Sequence, residues 1–313
     1  MTGLGRVVFL GSGAFGAPLL DRVASMADEI LVVTQPPRAA GRGLAVRESP
    51  IGAVARLRGL RLVAPPRLGS DDGRAAIRDF HPDGLLLAAY GQIVPYALLV
   101  VAARPPLNVH PSLLPRHRGP APIAGAILAG DAKTGVTLIE MVPEVDAGPI
   151  VAQWQAPVGV DEDAVELERR LATLAAREVP PVLSSWARGD VVTTPQSDDG
   201  VTHTRMLRRA DGRIDWTRSA TEVGRQVRAL QPWPGSWTTL GGSPLHVRRG
   251  RPLDERAAAV PGTLLPGSIP RVACGFGSYE LIAVQPAGRP VMPAGDWRRG
   301  VRHDAIVFGS VLD

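Results

Sequence analysis

The chain has 313 residues, 45% hydrophobic and 21% charged, which suits a globular protein with two cores. It has no apolar run long enough to span a membrane, and its single cysteine, Cys274, excludes an internal disulfide and a cysteine-histidine zinc site, so that thiol is expected to be buried and structural. The net charge of +5 is uneven: residues 1–204 hold 19 basic and 21 acidic side chains, a net of −2, while residues 205–313 hold 16 and 9, a net of +7. Such an excess of arginine is the footprint of a polyanionic partner, or of a basic surface kept for solubility.

In chain order, residues 6–10 predict a buried strand, 14–26 a helix and 29–33 a second strand, which makes a βαβ opening. The N-terminal apolar run therefore reads as a strand entering a turn, not as a signal peptide, and the expected location is the cytoplasm. Between strand and helix, Gly11, Gly13 and Gly16 have the spacing of a dinucleotide fingerprint. The second strand, however, ends in Thr34, Gln35 and Pro36 without the acidic residue that would hold a ribose, so the glycines read as tight strand-to-helix packing and no nicotinamide is expected. Residues 35–50 carry Arg38, Arg42 and Arg47 without periodicity and predict a long irregular loop, either functional or simply solvated. A helix over 51–58, a strand over 60–63 and a helix over 71–80 with an acidic first turn follow. Residues 84–89 are a continuous apolar strand, of the kind buried on both faces, that leads into the turn Tyr90 to Pro95.

Residues 107–151 hold the densest polar chemistry. Strict alternation over 107–110 turns Leu107 and Val109 to the core and Asn108 with His110 to the opposite face. Pro111 ends that strand, and residues 112–119 form a loop at its end. A second apolar run, 136–142, precedes a turn that carries Asp146, and a further strand covers 149–154. An amide, an imidazole and a carboxylate brought together suit acyl transfer, because the first two can donate to an oxyanion while the carboxylate orients the imidazole and favours its charged form. Taken singly, the same residues read as a turn cap, a satisfied strand-end histidine and a loop acid.

The remaining segments are a helix over 120–129 and another over 163–178, which Pro180 and Pro181 break before a shorter piece to 188. Residues 189–203 are a polar linker, 220–230 a helix, and 236–240, 245–248, 262–265, 271–273 and 279–284 short strands of a small barrel. Trp233 and Trp237, set among prolines, are expected in the core rather than as base-stacking platforms. The fold class is α/β: a Rossmann-like, mostly parallel sheet in the N-terminal domain with a smaller C-terminal β-barrel, OB-like, domain.

The run Asn108-Val109-His110, then Ser112-Leu113-Leu114-Pro115-Arg116, Arg118 and Gly119, with an Asp146-Ala147-Gly148 turn after Gly135-Val136-Thr137, resembles the folate-dependent formyltransferases. Residues 33–43, 89–95, 213–216 and 230–237 resemble the members of that family that act on tRNA, and the likeness runs from about residue 7 to residue 293. The resemblance implies that Asn108, His110 and Asp146 are catalytic. It implies 10-formyltetrahydrofolate as the formyl-donor co-substrate, held by Tyr90, Gln92, Ile93, Val94, Ser112, Leu113, Leu114 and Pro115, with no metal. It further implies methionyl-initiator tRNA as acceptor, contacted by Arg38 and, in the preferred assignment, Arg42. The corresponding division is a catalytic domain over 1–188, a linker over 189–203 and a basic tRNA-binding domain over 204–313, in a monomer away from any membrane. Other readings are a formyltransferase for a small amine such as an amino sugar nucleotide or glycinamide ribonucleotide, and a non-catalytic tRNA-binding protein. The chain departs from the family pattern in having His117 between Arg116 and Arg118 and Gly11-Ser12-Gly13 at the first turn.

Overall fold

A computed structural model describes residues 3–40, 45–255, 258–301 and 306–309. Short β-branched and apolar runs alternate with capped helices along the first half. In order these are β1 (Arg6–Gly11), α1 (Ala17–Ala24), β2 (Glu29–Val33), β3 (Arg38–Ala40), β4 (Ala45–Arg47), α2 (Pro50–Leu57), β5 (Arg61–Val63) and α3 (Asp71–Arg78). There follow β6 (Gly84–Ala88), α4 (Tyr96–Leu99), β7 (Leu107–His110), α5 (Pro122–Ala129), β8 (Lys133–Glu140), β9 (Ile150–Pro157) and α6 (Ala164–Arg188). The hydroxyls of Ser49 and Ser70 cap α2 and α3 by accepting from the amides of Gly52 and Gly73.

The principal sheet has the order β5-β2-β1-β6-β7-β8-β9. Its strands are parallel as far as β7, and β8 and β9 add an antiparallel edge. The order turns round between β1 and β6, and sheets of this kind bind ligands beyond the carboxyl ends of their strands near such a point. A Cβ on Gly11 or Gly16 would lie 2.9 Å from the Ala88 carbonyl, and the amides of Ser12 and Gly13 both donate to the Ala89 carbonyl at 3.0 Å. These contacts support the packing reading of the glycines. Val8, Leu10, Leu31, Val33, Phe80 and Leu85 form a dry core with Tyr90.

Two compact units emerge: Met1–Pro122 with Lys133–Pro157 and Leu167–Arg205, and Ile123–Ala132 with Val158–Glu166 and Met206–Asp313. The second contains α7 (Ala220–Ala229), β10 (Ser236–Leu240), β11 (Ser243–Leu253), β12 (Arg271–Ala273), β13 (Ser278–Pro286), β14 (Met292–Pro293) and α8 (Ala294–Arg299). A reciprocal Ser219–Glu222 box opens α7. The strands form a curled antiparallel sheet, half of a barrel, in the order β10-β11-β13-β12 with β14 beside β13. A register shift between Val247 and Arg249 interrupts the β11–β13 ladder, the kind of irregularity that bends a strand. Residues 262–265, expected as a strand, contribute only isolated bridges, Thr263 to Val307 and Leu264 to Val272.

Four expectations are corrected. Pro180 and Pro181 do not end a helix: α6 runs through them for 25 residues. Two prolines each remove one amide donor, but Leu167, Leu171, Ala175, Val179, Leu183 and Trp186 bury a continuous stripe on both sides of them, and that packing carries the helix across. The supposed irregular loop over 35–50 includes a two-stranded ribbon, β3 with β4, in which Arg38 pairs with Arg47. Trp233 is 57% exposed rather than core, because the second unit's interior is already filled by Trp216, Trp297, Tyr279 and Phe308. Trp237 is half-buried and its indole donates to the Arg209 carbonyl at 3.3 Å. Cys274 is buried, as expected, and burial pushes its thiol up to about 12. Among the described residues no helix is long and apolar enough to cross a membrane.

Candidate active site

β7 lies between β6 and β8 in the sheet, and all four of its residues are buried. Asn108 and His110 nevertheless share one face, as the alternation predicts. Over that face folds the 141–149 segment, pinned where Met141 donates to the Pro106 carbonyl at 2.8 Å and Glu140 to the Pro149 carbonyl at 3.0 Å. Asp146 sits in this segment with a left-handed φ of 54°. One oxygen of its carboxylate accepts from Asn108 Nδ2 at 2.9 Å; the other accepts from the Gly119 amide at 2.8 Å and lies 3.5 Å from His110 Nδ1. The opposite ring nitrogen, Nε2, is 3.0 Å from the carbonyl of His117, which also has a left-handed φ, 61°. The imidazole is thus held at both nitrogens by residues in a strained backbone region.

Asn108 is 8% and His110 4% exposed. Burial lowers the His110 pKa below the ordinary histidine value, and the nearby Asp146 charge and the His117 carbonyl only partly oppose it. Burial therefore works against the charged imidazole that the neighbouring carboxylate favours. Between the folded and unfolded pKa values the unfolded chain binds the proton that the folded chain refuses, so stability falls as pH drops through about 6.5 and levels off below the folded value. In denaturant titrations the midpoint should slope this way in the wild type, and His110→Gln should flatten the slope; an unchanged slope would refute it.

The loop after β7 is tied by its backbone. Thr137 Oγ1 donates to the Ser112 carbonyl at 2.6 Å and accepts from the Leu114 amide at 3.2 Å, while Gln153 Nε2 donates to the Leu114 carbonyl at 2.9 Å. Ser112 Oγ closes on the Arg116 carbonyl at 2.7 Å, Leu114 is buried, and Leu113 packs so near Gly135 that a Cβ there would stand 2.6 Å from its Cδ2. Pro115 is partly buried, and its carbonyl accepts from the Thr202 amide at 3.4 Å. In the segment after β6, the Tyr90 side chain points into the core, where burial pushes its phenol up to about 12, and its carbonyl accepts from Gln35 Nε2 at 2.8 Å. Gln92 accepts from the Leu68 amide at 2.9 Å, Val94 is buried, and Ile93, 84% exposed, is followed in the chain by exposed Tyr96 and Val100. Arg38 is exposed on its ribbon, and Arg42 lies outside the described residues.

Sequence reasoning missed the backbone groups of His117 and Gly119. A carbonyl and an amide carry no side-chain signature. One signal existed at Gly119, where φ is 105° and a Cβ would stand 2.5 Å from the Thr204 carbonyl, so only glycine fits. Among the described residues no group of three or more histidine, cysteine or acidic side chains could hold a metal. The arrangement offers an anchored carboxylate, a buried imidazole and an amide whose Nδ2 has a second hydrogen to give.

Residues 5–183 match the formyl transferase family and residues 206–302 the formyl transferase C-terminal domain. The methionyl-tRNA formyltransferase of Roseiflexus sp. is 42% identical over 301 residues, 95% of this chain and 93% of that protein. That of Jannaschia sp. is 38% identical over 309 residues, 98% of this chain and all of the other. In three dimensions the chain is similar to HypX from Aquifex aeolicus in complex with tetrahydrofolic acid, with a TM-score of 0.66 and 19% identity over 96% of this chain, although it spans only 50% of HypX. It is also similar to the sugar 3N-formyltransferase WlaRD, with a TM-score of 0.67 and 13% identity over 92% of this chain and 99% of that one.

Proposed function

The chain belongs to the formyl transferase family, and from that premise we propose that it moves the formyl group of 10-formyltetrahydrofolate to the α-amino group of methionyl-initiator tRNA. The observation that carries the reaction is the Asp146 carboxylate, fixed by Asn108 and Gly119 beside a buried imidazole. In the proposed step the neutral amine nitrogen bonds to the formyl carbon, and the carbonyl π pair moves onto oxygen. The second Nδ2 hydrogen of Asn108 and the His110 imidazolium stabilise that oxyanion. Collapse restores the C=O bond and expels the folate nitrogen. The amine gives up one proton and the leaving nitrogen gains one, with Asp146 and His110 carrying the exchange. The donor would lie along the segment that exposes Ile93 and Tyr96, an apolar edge suited to an aromatic ring, and the loop Ser112 to Pro115.

The full-length likeness to methionyl-tRNA formyltransferases and the +7 charge of residues 205–313 favour a tRNA acceptor over a small amine. The protein would act as a monomer in the cytoplasm. Purified protein with labelled formyl donor should formylate charged initiator tRNA and not free methionine; equal use of both would refute the tRNA reading. Binding of tRNA should weaken steeply with salt, and Arg38→Ala with Arg47→Ala should lower the slope of log K against log salt by about 1 to 2. An unaltered slope would remove the β3–β4 ribbon from the interface.

A further inference from the structure

We propose that residues 196–204 form a positioning strap that holds the catalytic pair in register, an inference that rests on the catalytic reading of Asp146 and His110. A single carboxamide makes the first attachment. Gln196 Nε2 donates to the carbonyls of Asp146 and Gly148, both at 2.7 Å, while its Oε1 accepts from Arg118 Nε at 3.1 Å and Nη2 at 2.8 Å. Both ends are used, and they join the turn that carries the carboxylate to the loop that follows β7. Arg118, buried at the junction, also reaches Glu144 at 3.8 Å.

The second attachment is to the loop itself. Thr202 Oγ1 accepts from the His117 amide at 2.8 Å, the Thr202 carbonyl accepts from the Arg118 amide at 2.9 Å, and the Thr204 amide donates to the Arg118 carbonyl at 2.7 Å. Thr204 Oγ1 adds a bond to the same carbonyl and accepts from the Ala121 amide, each at 3.1 Å.

What makes this more than loop anchoring is where the bonds fall. The imidazole of His110 is held by Asp146 on one side and by His117 on the other, and these are two of the few non-glycine residues with left-handed φ. Neither conformation is self-sustaining, because each brings Cβ close to neighbouring backbone. The strap bonds directly to both: Gln196 to the carbonyl of Asp146, Thr202 to the amide of His117. Releasing Gln196 lets the 146–148 turn relax and carries the carboxylate off the ring nitrogen. The imidazole then loses the charge that supports its protonated form.

The test is steady-state formylation of charged initiator tRNA by the full chain across pH, for Gln196→Ala, Thr202→Val and Thr202→Ser, with Asp146→Asn in parallel. Gln196→Ala should lower kcat by about 10- to 100-fold, the scale of a misplacement near 1 Å, with KM for the donor unchanged. Its acid limb should move to lower pH. Thr202→Val should shift in the same direction, and Thr202→Ser, which keeps the acceptor oxygen, should behave as wild type. If Gln196→Ala or Thr202→Val lowers the melting temperature but leaves kcat and the acid limb in place, the strap only stabilises the fold and the proposal falls. If Gln196→Ala does not fold, the Thr202 pair decides alone: equal Val and Ser variants overturn it. Should Asp146→Asn retain activity, the catalytic reading itself fails; should it abolish activity while the strap variants remain unaffected, only the strap fails.

Discussion

Alanine at Asn108 or at His110 should lower kcat for formyl transfer by about 100- to 1000-fold, the usual loss for one preorganised donor to an oxyanion. Both side chains are almost completely buried, so water cannot substitute for them without rearrangement. They are also not independent. Asp146 bonds Asn108 through one oxygen and faces His110 with the other, so removing either partner frees the carboxylate to turn toward the one that remains. The double alanine variant should therefore lose less than the product of the two single effects. Single-turnover rates with charged initiator tRNA, which separate chemistry from binding, are the measurement, and rates within about threefold of wild type for both single variants would overturn the assignment.

The largest effect on stability should come from Trp186→Ala, at about 3–5 kcal/mol. Trp186 is buried near the end of α6, its indole nitrogen donates to the Pro105 carbonyl at 3.0 Å, and the Arg104 guanidinium stands 5.2 Å from the ring. The ring fills a hollow that exists because residue 84 has no side chain: a Cβ on Gly84 would come within 1.9 Å of it. Truncation leaves a cavity and an orphaned carbonyl together. Gly84→Ala should destabilise the wild type and be far better tolerated in the Trp186→Ala background. A urea melt of the four proteins gives the coupling, and additive losses would show that the ring and Gly84 do not compete for one space.

The parallel strands were legible because each is an apolar run punctuated by glycine, proline or a cap, and the neighbourhood of Asn108, His110 and Asp146 was legible from alternation plus a turn. Other features followed rules that sequence pattern does not carry. Pro180 and Pro181 predict a break from local chemistry, and a stripe of buried residues spanning α6 overrides it. The lowered pKa of His110 was not legible because the carboxylate is visible in the sequence while the depth of burial, which outweighs it, is not. Gln196 and Thr202 lie in a stretch rich in threonine, serine, aspartate and glycine, whose composition is that of a linker. Only the hydrogen bonds to Asp146 and His117 distinguish it from one.

The two compact units interleave along the chain, since Ile123–Ala132 and Val158–Glu166 cluster with Met206–Asp313 although segments of the first unit lie between them in sequence. A truncation after residue 205 would therefore not deliver a tidy catalytic fragment. It would strand two internal stretches from the partners they pack with, among them Arg228, whose guanidinium donates to the Glu162 carbonyl at 3.0 Å. Production of either half by itself should end in inclusion bodies, whereas the intact polypeptide should remain in the supernatant.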